Sequence, residues 1–360
     1  MNNQIEYEPR RQRLLPALQQ ARVDGFLITG LPNIRYLAGF TGSNATLLIT
    51  RDRALLFTDP RYQTQAPQES DCEVKITKGP LTAELQKWVN RLKLNSLGFE
   101  QNRITYDDYS ELRGAIKGIR FKAIAGAVEA LRAVKSPVET AAIKASVQLN
   151  SAALEQALRH FKASMTEVDL AAEIEYRMRR LGADGTSFDT IVASGARSAL
   201  PHAHPTSHPI NHDQLLLVDM GASVAGYASD MTRTYAVGKL DAKIRRMYRA
   251  VMESQLAAID AIKPGVSCAR VDSAAREVLR SYGLDKLFLH STGHGLGLEI
   301  HERPRVGRKE GTKLKTGMVV TIEPGVYAEG LGGIRIEDTV AVTERGSEVL
   351  TPTGKELVAL

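Results

Sequence analysis

The chain has little cysteine. Its 360 residues include only Cys72 and Cys268, far apart and in no CxxC pair. Secreted scaffolds hold small cores together with many disulfides, so this usage fits a reducing compartment and points to the cytoplasm. The opening residues, MNNQIEYEPRRQRLLPALQQ, contain no apolar core of the kind a signal peptide needs. No run approaches 18 apolar residues, so no membrane-spanning helix is expected. Low-complexity stretches and long linkers are also missing.

What is present is an ordinary globular composition, 43% apolar. A single core rarely grows past roughly 250–300 residues, so two domains are expected. The net charge is +6. The basic residues are scattered over Arg10 to Arg13, Lys243 to Arg249 and Arg303 to Lys315. Without one clustered basic face, no nucleic-acid partner is expected.

Residues 1–130 read as a small α/β domain. LLPALQQARVDG is an amphipathic helix with a Gly stop, and FLIT, IRYLAGF, ATLLIT and ALLFT read as strands. LTAELQKWVNRLK and TYDDYSELRGAIKG read as helices. A boundary falls near residues 126–136, and a second domain covers 131–360. Its first helix has a clear start: Ser136 as N-cap, Pro137 at the first position, and Glu139 completing a capping box. A helix through EVDLAAEIEYRMRRLG follows, then two more near 241–262 and 269–282. Strands are expected at DTIVAS, QLLLVDMG, Tyr227–Val237, MVVTIEP and GIRIEDTVAVT. The order of two helices and strands, then two helices and strands, fits a structural duplication, although no sequence self-similarity accompanies it.

Seven of the eight histidines lie between positions 202 and 301, which marks the second domain as the reactive one. Two acidic hairpins give that concentration a geometric reason. Asp219 and Asp230 are symmetric about a point between Val224 and Ala225. Glu323 and Glu337 are symmetric about Gly330 in a turn around EGLGG. Residues facing each other across an antiparallel pair have Cβ atoms about 4.5–5.5 Å apart. A bulge would shift either register. Two bare carboxylates at that distance repel, and a divalent cation between them removes the cost. For one such pair, solvated strand-end carboxylates are the simpler reading. Two pairs with HSTGHGLGLEIHERP between them favour a metal site, with glycines 293, 295 and 297 allowing close backbone approach around His294. Carboxylate-rich donors suit manganese or magnesium, and the imidazole keeps cobalt, iron and zinc in range. Two ions roughly 3.5–4 Å apart can activate water and stabilise an oxyanion.

At these residues the sequence resembles the creatinase/prolidase/aminopeptidase P family of metallopeptidases. The segments are TSFDTIVASGARSALPHAHP, LLLVDMGASVAGYASDMTRTYAVG, HSTGHGLGLEIHERP, MVVTIEPGVY and GIRIEDTV, in the family's order. NIRYLAGFTGSNATLLIT is similar to its N-terminal domain and LRAVKSPVETAAIKAS to its junction. The resemblance implies an α+β pita-bread catalytic domain behind a smaller α/β domain. It implies two divalent ions, Mn2+ foremost with Co2+, Zn2+ or Fe2+ as alternatives, on Asp219, Asp230, His294, Glu323 and Glu337. By motif position, His202 and His301 attend the scissile bond and the tetrahedral intermediate, and Glu323 also shuttles a proton. Arg335 braces the metal-binding carboxylates, Tyr227 lies beside the metals, and His290 lines the pocket. Phe188 flanks that pocket, either as a substrate-binding residue lining it or as plain core.

The implied activity is hydrolysis of the bond between an N-terminal residue and proline. Within the family the choice lies between an Xaa-Pro dipeptidase, favoured here, and an aminopeptidase P acting on longer peptides. Arg305 of HERPR is similar in position to an arginine that binds the proline carboxylate in some prolidases. The complete ligand set argues against the metal-free creatinase branch and against a non-catalytic pita-bread binding protein. The N-terminal domain argues against a methionine aminopeptidase. A proline-containing peptide substrate and a homodimer are the expected partners.

Overall fold

A computed structural model describes residues 7–162 and 164–360, and the chain divides after Arg132 into two compact units. In the first unit six strands form one mixed sheet, in the order Glu73–Ile76, Ala54–Thr58, Ala45–Thr50, Gly25–Ile28, Ser96–Glu100, Arg120–Ile124. The central strand Gly25–Ile28 is buried at every position, as expected where both faces are covered. Leu27, Leu48, Phe57 and Leu97 of the sheet pack against Leu85, Trp88 and Leu112 of the helices Leu81–Arg91 and Tyr106–Ala115.

Two N-terminal expectations need correction. The segment IRYLAGF is not a strand; Leu31–Ala38 is a helix. Its start and stop were written in the sequence: Pro32 sits in the first turn, and Gly39 closes the helix at φ 79° with its N–H on the Arg35 carbonyl. A short apolar run alone does not distinguish helix from strand. The first helix, Tyr7–Ala21, does not stop on a glycine either. Arg22 takes the left-handed turn at φ 54°, and Gly25 opens the next strand. The strands Glu73–Ile76, Ser96–Glu100 and Arg120–Ile124 had no expectation attached to them.

The second unit, Ala133–Leu360, is built twice on one plan. Helices Pro137–Leu158 and Glu167–Arg180 cover a sheet of Ile191–Ser194, Gln214–Met220 and Met231–Val237. Helices Ala242–Asp260 and Cys268–Ser281 cover the strands Glu302–Val306, Gly293–Gly295, Val319–Ile322, Asp338–Val342 and Ser347–Val349. The capping box at Ser136 forms as expected. The second helix of each pair begins at a capping hydroxyl, Thr166 or Ser267. Each of these residues makes an isolated antiparallel bridge, Thr166 to Pro209 and Ser267 to Lys313. This is the α+β pita-bread arrangement. Among the described residues no helix is long and apolar enough to cross a membrane.

Candidate metal centre

The first acidic hairpin closes one step away from its expected centre. Ala225 and Gly226 both take positive φ, 50° and 76°, and make the two-residue turn closed by Val224 and Tyr227. Asp219 therefore lies opposite Thr232, not Asp230. Alternate residues share a face, so Asp230, two before Thr232, becomes the diagonal neighbour of Asp219 on that face. The corrected register keeps the carboxylates together and inserts a threonine between them.

The second hairpin has the expected register. Gly325 pairs with Arg335 and Ile322 with Asp338, which sets Glu323 and Glu337 opposite each other where the two ladders are interrupted. Between the hairpins, Gly293–Gly295 presses against Val319–Ile322. A Cβ on Gly293 would lie 1.8 Å from the Thr321 carbonyl oxygen, and one on Gly295 would lie 2.2 Å from that of Arg303. Only glycine lets this backbone bring His294 in so close.

Ligand atoms of Asp230, His294 and Glu337 all lie within 4.8 Å of one another. His294 Nε2 is 3.5 Å from Asp230 Oδ2 and 3.4 Å from Glu323 Oε1. Its Nδ1–H donates to the Gly295 carbonyl at 3.0 Å, which leaves the Nε2 lone pair facing the carboxylates. Arg335 Nη2 donates to Asp219 Oδ2 at 2.6 Å, Nε to Thr232 Oγ1 at 2.9 Å, and Nη1 to the Tyr327 hydroxyl at 2.7 Å. Thr232 passes its own proton to Glu337 Oε2 at 2.7 Å. Thr321 does the same for Glu323 at 3.2 Å.

One guanidinium faces four carboxylates here, so the cluster is short of positive charge. Burial, then repulsion from Glu337, Asp219 and Glu323, raises the Asp230 carboxyl well above its ordinary range. Glu337 is raised for the same reasons, and burial pushes Glu323 up to about 7. Burial lowers His294 and favours the neutral imidazole that binds metal. The Oδ1 atom of Asp219 is buried with no hydrogen-bond partner. An unpaired carboxylate oxygen is costly in a protein interior, and a cation is its natural partner. Hard oxygen donors plus one imidazole fit divalent metal.

The matches to known proteins agree with this chemistry. The model of Metallopeptidase family M24 matches residues 141–344, and that of the Creatinase/Prolidase N-terminal domain matches residues 10–134. The chain belongs to metallopeptidase family M24. A solved Xaa-Pro dipeptidase from Bacillus anthracis is 40% identical with a TM-score of 0.96, covering 99% of this chain and 100% of that one. An X-Pro aminopeptidase structure from Thermotoga maritima is 36% identical with a TM-score of 0.91, covering 96% of this chain and 100% of that one. An Xaa-Pro dipeptidase of Pyrococcus horikoshii is 36% identical over 96% of this chain and 98% of its own. As an M24 peptidase, the protein is a hydrolase that depends on divalent metal.

Of the other expected site residues, His301 touches a candidate ligand, and Tyr227 bonds to Glu139. The His301 ring stacks edge-on against His294, centroids 4.4 Å apart. Partial desolvation and the neighbouring His294 both hold His301 below the ordinary histidine value. His202 is exposed on a loop that Arg335 anchors through the Pro201 carbonyl at 3.3 Å. His290 contacts the Tyr327 hydroxyl through Nε2 and the Ser291 carbonyl through Nδ1, both at 2.8 Å. Tyr327 accepts from Arg335, so its own proton goes to His290, and burial keeps that imidazole neutral by lowering it to about 4. Phe188 lies against Gly221, between the two aspartates in the chain, where an added Cβ would come 2.6 Å from its ring. Arg305 is exposed opposite His294 and lines a cavity of about 410 Å³ with Arg276, His290, Arg308 and Lys309. Tyr227 is buried with its hydroxyl 3.2 Å from Glu139, in the first turn of the 137–158 helix. His204, His208 and His212 are exposed.

Sequence reasoning missed Thr232, Thr321 and Tyr327. The alternation Asp230, Thr232, Thr234 was a usable signal for the first. It also missed Glu167, whose buried carboxylate accepts from Ser194 N–H, Arg197 Nε and Thr206 N–H, fixing both ends of the loop that carries His202.

Proposed function

We propose that the protein is an Xaa-Pro dipeptidase, a prolidase, that uses two divalent ions, Mn2+ foremost, on Asp219, Asp230, His294, Glu323 and Glu337. The observation carrying this reading is the buried four-carboxylate cluster with a free His294 Nε2 and an unpartnered Asp219 oxygen. Dipeptidase names among the near relatives support the substrate class. A chain with only two cysteines, both free thiols, suits the reducing cytoplasm, and closed two-fold dimers are the commonest assembly for such a chain.

Bound there, the metal ions supply Lewis-acid polarisation of the scissile carbonyl and activation of water. The chain's own residues do the rest. Glu323 is the most open of these three carboxylates, its side chain 17% exposed against 7% for Asp230 and 13% for Asp219. It takes a proton from the attacking water and delivers it to the proline nitrogen as the C–N bond breaks. The proline nitrogen leaves as a secondary amine, and the proton it gains is the one Glu323 took from the water. His301 and His202 donate to the developing oxyanion, and the lowered ionisation of His301 keeps its N–H group neutral for that task. Arg335 holds Asp219 and Thr232 in place.

The cationic cavity beside His290 supports the dipeptidase reading over the aminopeptidase one. Arg305, Arg308 and Lys309 line it with one carboxylate, Glu310, while Arg276 is already paired with Asp272, and a free proline carboxylate is the group the remaining cations suit. A panel of Xaa-Pro and Xaa-Pro-Xaa peptides tests the choice. Dipeptides should be cleaved faster, and Arg305→Ala should raise their KM about tenfold or more, the effect of one hydrogen bond to a charged group. Tripeptides cleaved equally well or faster, with Arg305→Ala neutral, would make the enzyme an aminopeptidase P.

A further inference from the structure

Behind the acidic cluster lies a second buried ionic group, on the opposite face of the strand that carries Thr232. Arg233 is 1% exposed, and its guanidinium is fully used. Nε donates to the Gly354 carbonyl at 2.9 Å. Nη1 donates to the carbonyls of Thr232 at 2.9 Å and Glu337 at 2.5 Å. Nη2 donates to Asp338 Oδ1 at 2.7 Å and to the Thr353 carbonyl at 2.6 Å. The other oxygen of Asp338 takes Gln255 Nε2 at 2.8 Å and the Lys355 ammonium. Lys355 also donates to Gln255 Oε1 at 3.0 Å.

Glu337 needs such a clamp. It lies in the gap between the strands Gly332–Arg335 and Asp338–Val342, outside either ladder. Its N–H goes to the Thr232 carbonyl at 3.1 Å, and its carbonyl goes to Arg233. Both main-chain groups of Glu337 thus depend on residues 232 and 233. Thr232 in turn hydrogen-bonds the Glu337 carboxylate from the front. The last residues of the chain close the clamp: Thr353 and Gly354 cap the guanidinium, and the N–H groups of Ala236 and Leu360 bond to the carbonyls of Val358 and Ala236.

We propose that Arg233, held between Asp338 and the C-terminal segment 353–355, is a positioning residue for the metal centre: it fixes the backbone of Thr232 and Glu337 so that the Glu337 carboxylate faces the metal. The inference rests on the metal-ligand reading of Glu337. A merely structural role would lower the unfolding midpoint and leave the Co2+ affinity and spectrum of the folded protein unchanged.

The test compares the wild-type protein, Arg233→Lys, and the pair Arg233→Met/Asp338→Leu. Each is stripped with a chelator, reloaded with Co2+, and followed by the visible Co2+ absorption spectrum, a chelator-competition affinity, the unfolding midpoint and kcat and KM on a Xaa-Pro dipeptide. The pair variant takes the guanidinium from four carbonyls and the carboxylate from Lys355, so its unfolding midpoint should fall, and in the folded protein Co2+ affinity should fall about 10- to 100-fold, the usual effect of losing a group that orients a ligand. Its spectrum should change and kcat should fall with little change in KM. Arg233→Lys keeps a cation beside Asp338 but cannot make the five-donor fork, so it should show the same losses, and it decides the matter if the pair variant does not fold. Wild-type affinity and spectrum in a folded variant would overturn the inference. A wild-type protein that binds no Co2+ would instead remove the metal reading itself.

Discussion

Stripping the metal should make the catalytic unit less stable as pH rises, the reverse of ordinary salt-bridged carboxylates. In the metal-free protein Asp230, Glu323 and Glu337 are raised above their usual range by burial, and Glu323 moves from 4.5 to about 7. Between those two values the folded state holds a proton that the unfolded chain has released. The free energy of unfolding therefore falls as pH rises, with the full stability present below the unfolded value and lost by the folded one. At about 1.4 kcal/mol per pH unit, Glu323 alone accounts for roughly 3 kcal/mol. Asp230 and Glu337 act in the same direction. A unit of this size changes its melting temperature by about 2–4 °C per kcal/mol, so chelated protein should melt roughly 6–12 °C lower at pH 7.5 than at pH 5. Calorimetry of the chelated protein across that range measures it directly. Glu323→Gln should flatten the slope, and Mn2+ or Co2+ should restore the melting temperature at pH 7.5, since metal binds the ionised form. A chelated protein whose stability is constant or rises to pH 7.5, with Glu323→Gln no different, would refute the electrostatic reasoning.

Two further substitutions have definite outcomes. Arg335→Met removes the partner of buried Asp219 and frees Thr232 and Tyr327; breaking such a pair costs about 3–5 kcal/mol, and denaturant unfolding should show it together with a loss of metal affinity. Glu167→Gln weakens the anchor of the loop carrying His202; amide exchange at Ser194 and Thr206 should speed up and KM should rise, while metal affinity stays at the wild-type level.

Much of the catalytic unit was legible in the sequence because its signals are local. Ser136, Pro137 and Glu139 specify a helix start within four residues, and the alternating strands carry their acidic residues at readable spacings. The Gly330-centred hairpin could be registered by symmetry, because its turn keeps that symmetry. The Ala225–Gly226 turn could not, because alanine rarely marks a left-handed position. In the N-terminal unit the 31–38 helix was mistaken for a strand because its apolar run is too short to show a period. What joins distant segments stayed hidden. Glu167 holds a loop nearly forty residues away, and Arg233 reaches the final residues of the chain. Such links depend on how layers stack and leave no periodic trace in the sequence. The five candidate ligands could be picked out because four carboxylates and a histidine stand out chemically; the threonines between them do not.

The most direct measurement is the metal content of the protein after chelation and reloading with Mn2+ or Co2+, read beside hydrolysis of a Xaa-Pro dipeptide. Close to two ions per chain should bind and turnover should return with them, whereas Asp219→Asn or Glu337→Gln should lose both together. Full dipeptide hydrolysis by the metal-free protein, or unchanged metal content in those variants, would contradict a catalytic centre built on Asp219, Asp230, His294, Glu323 and Glu337.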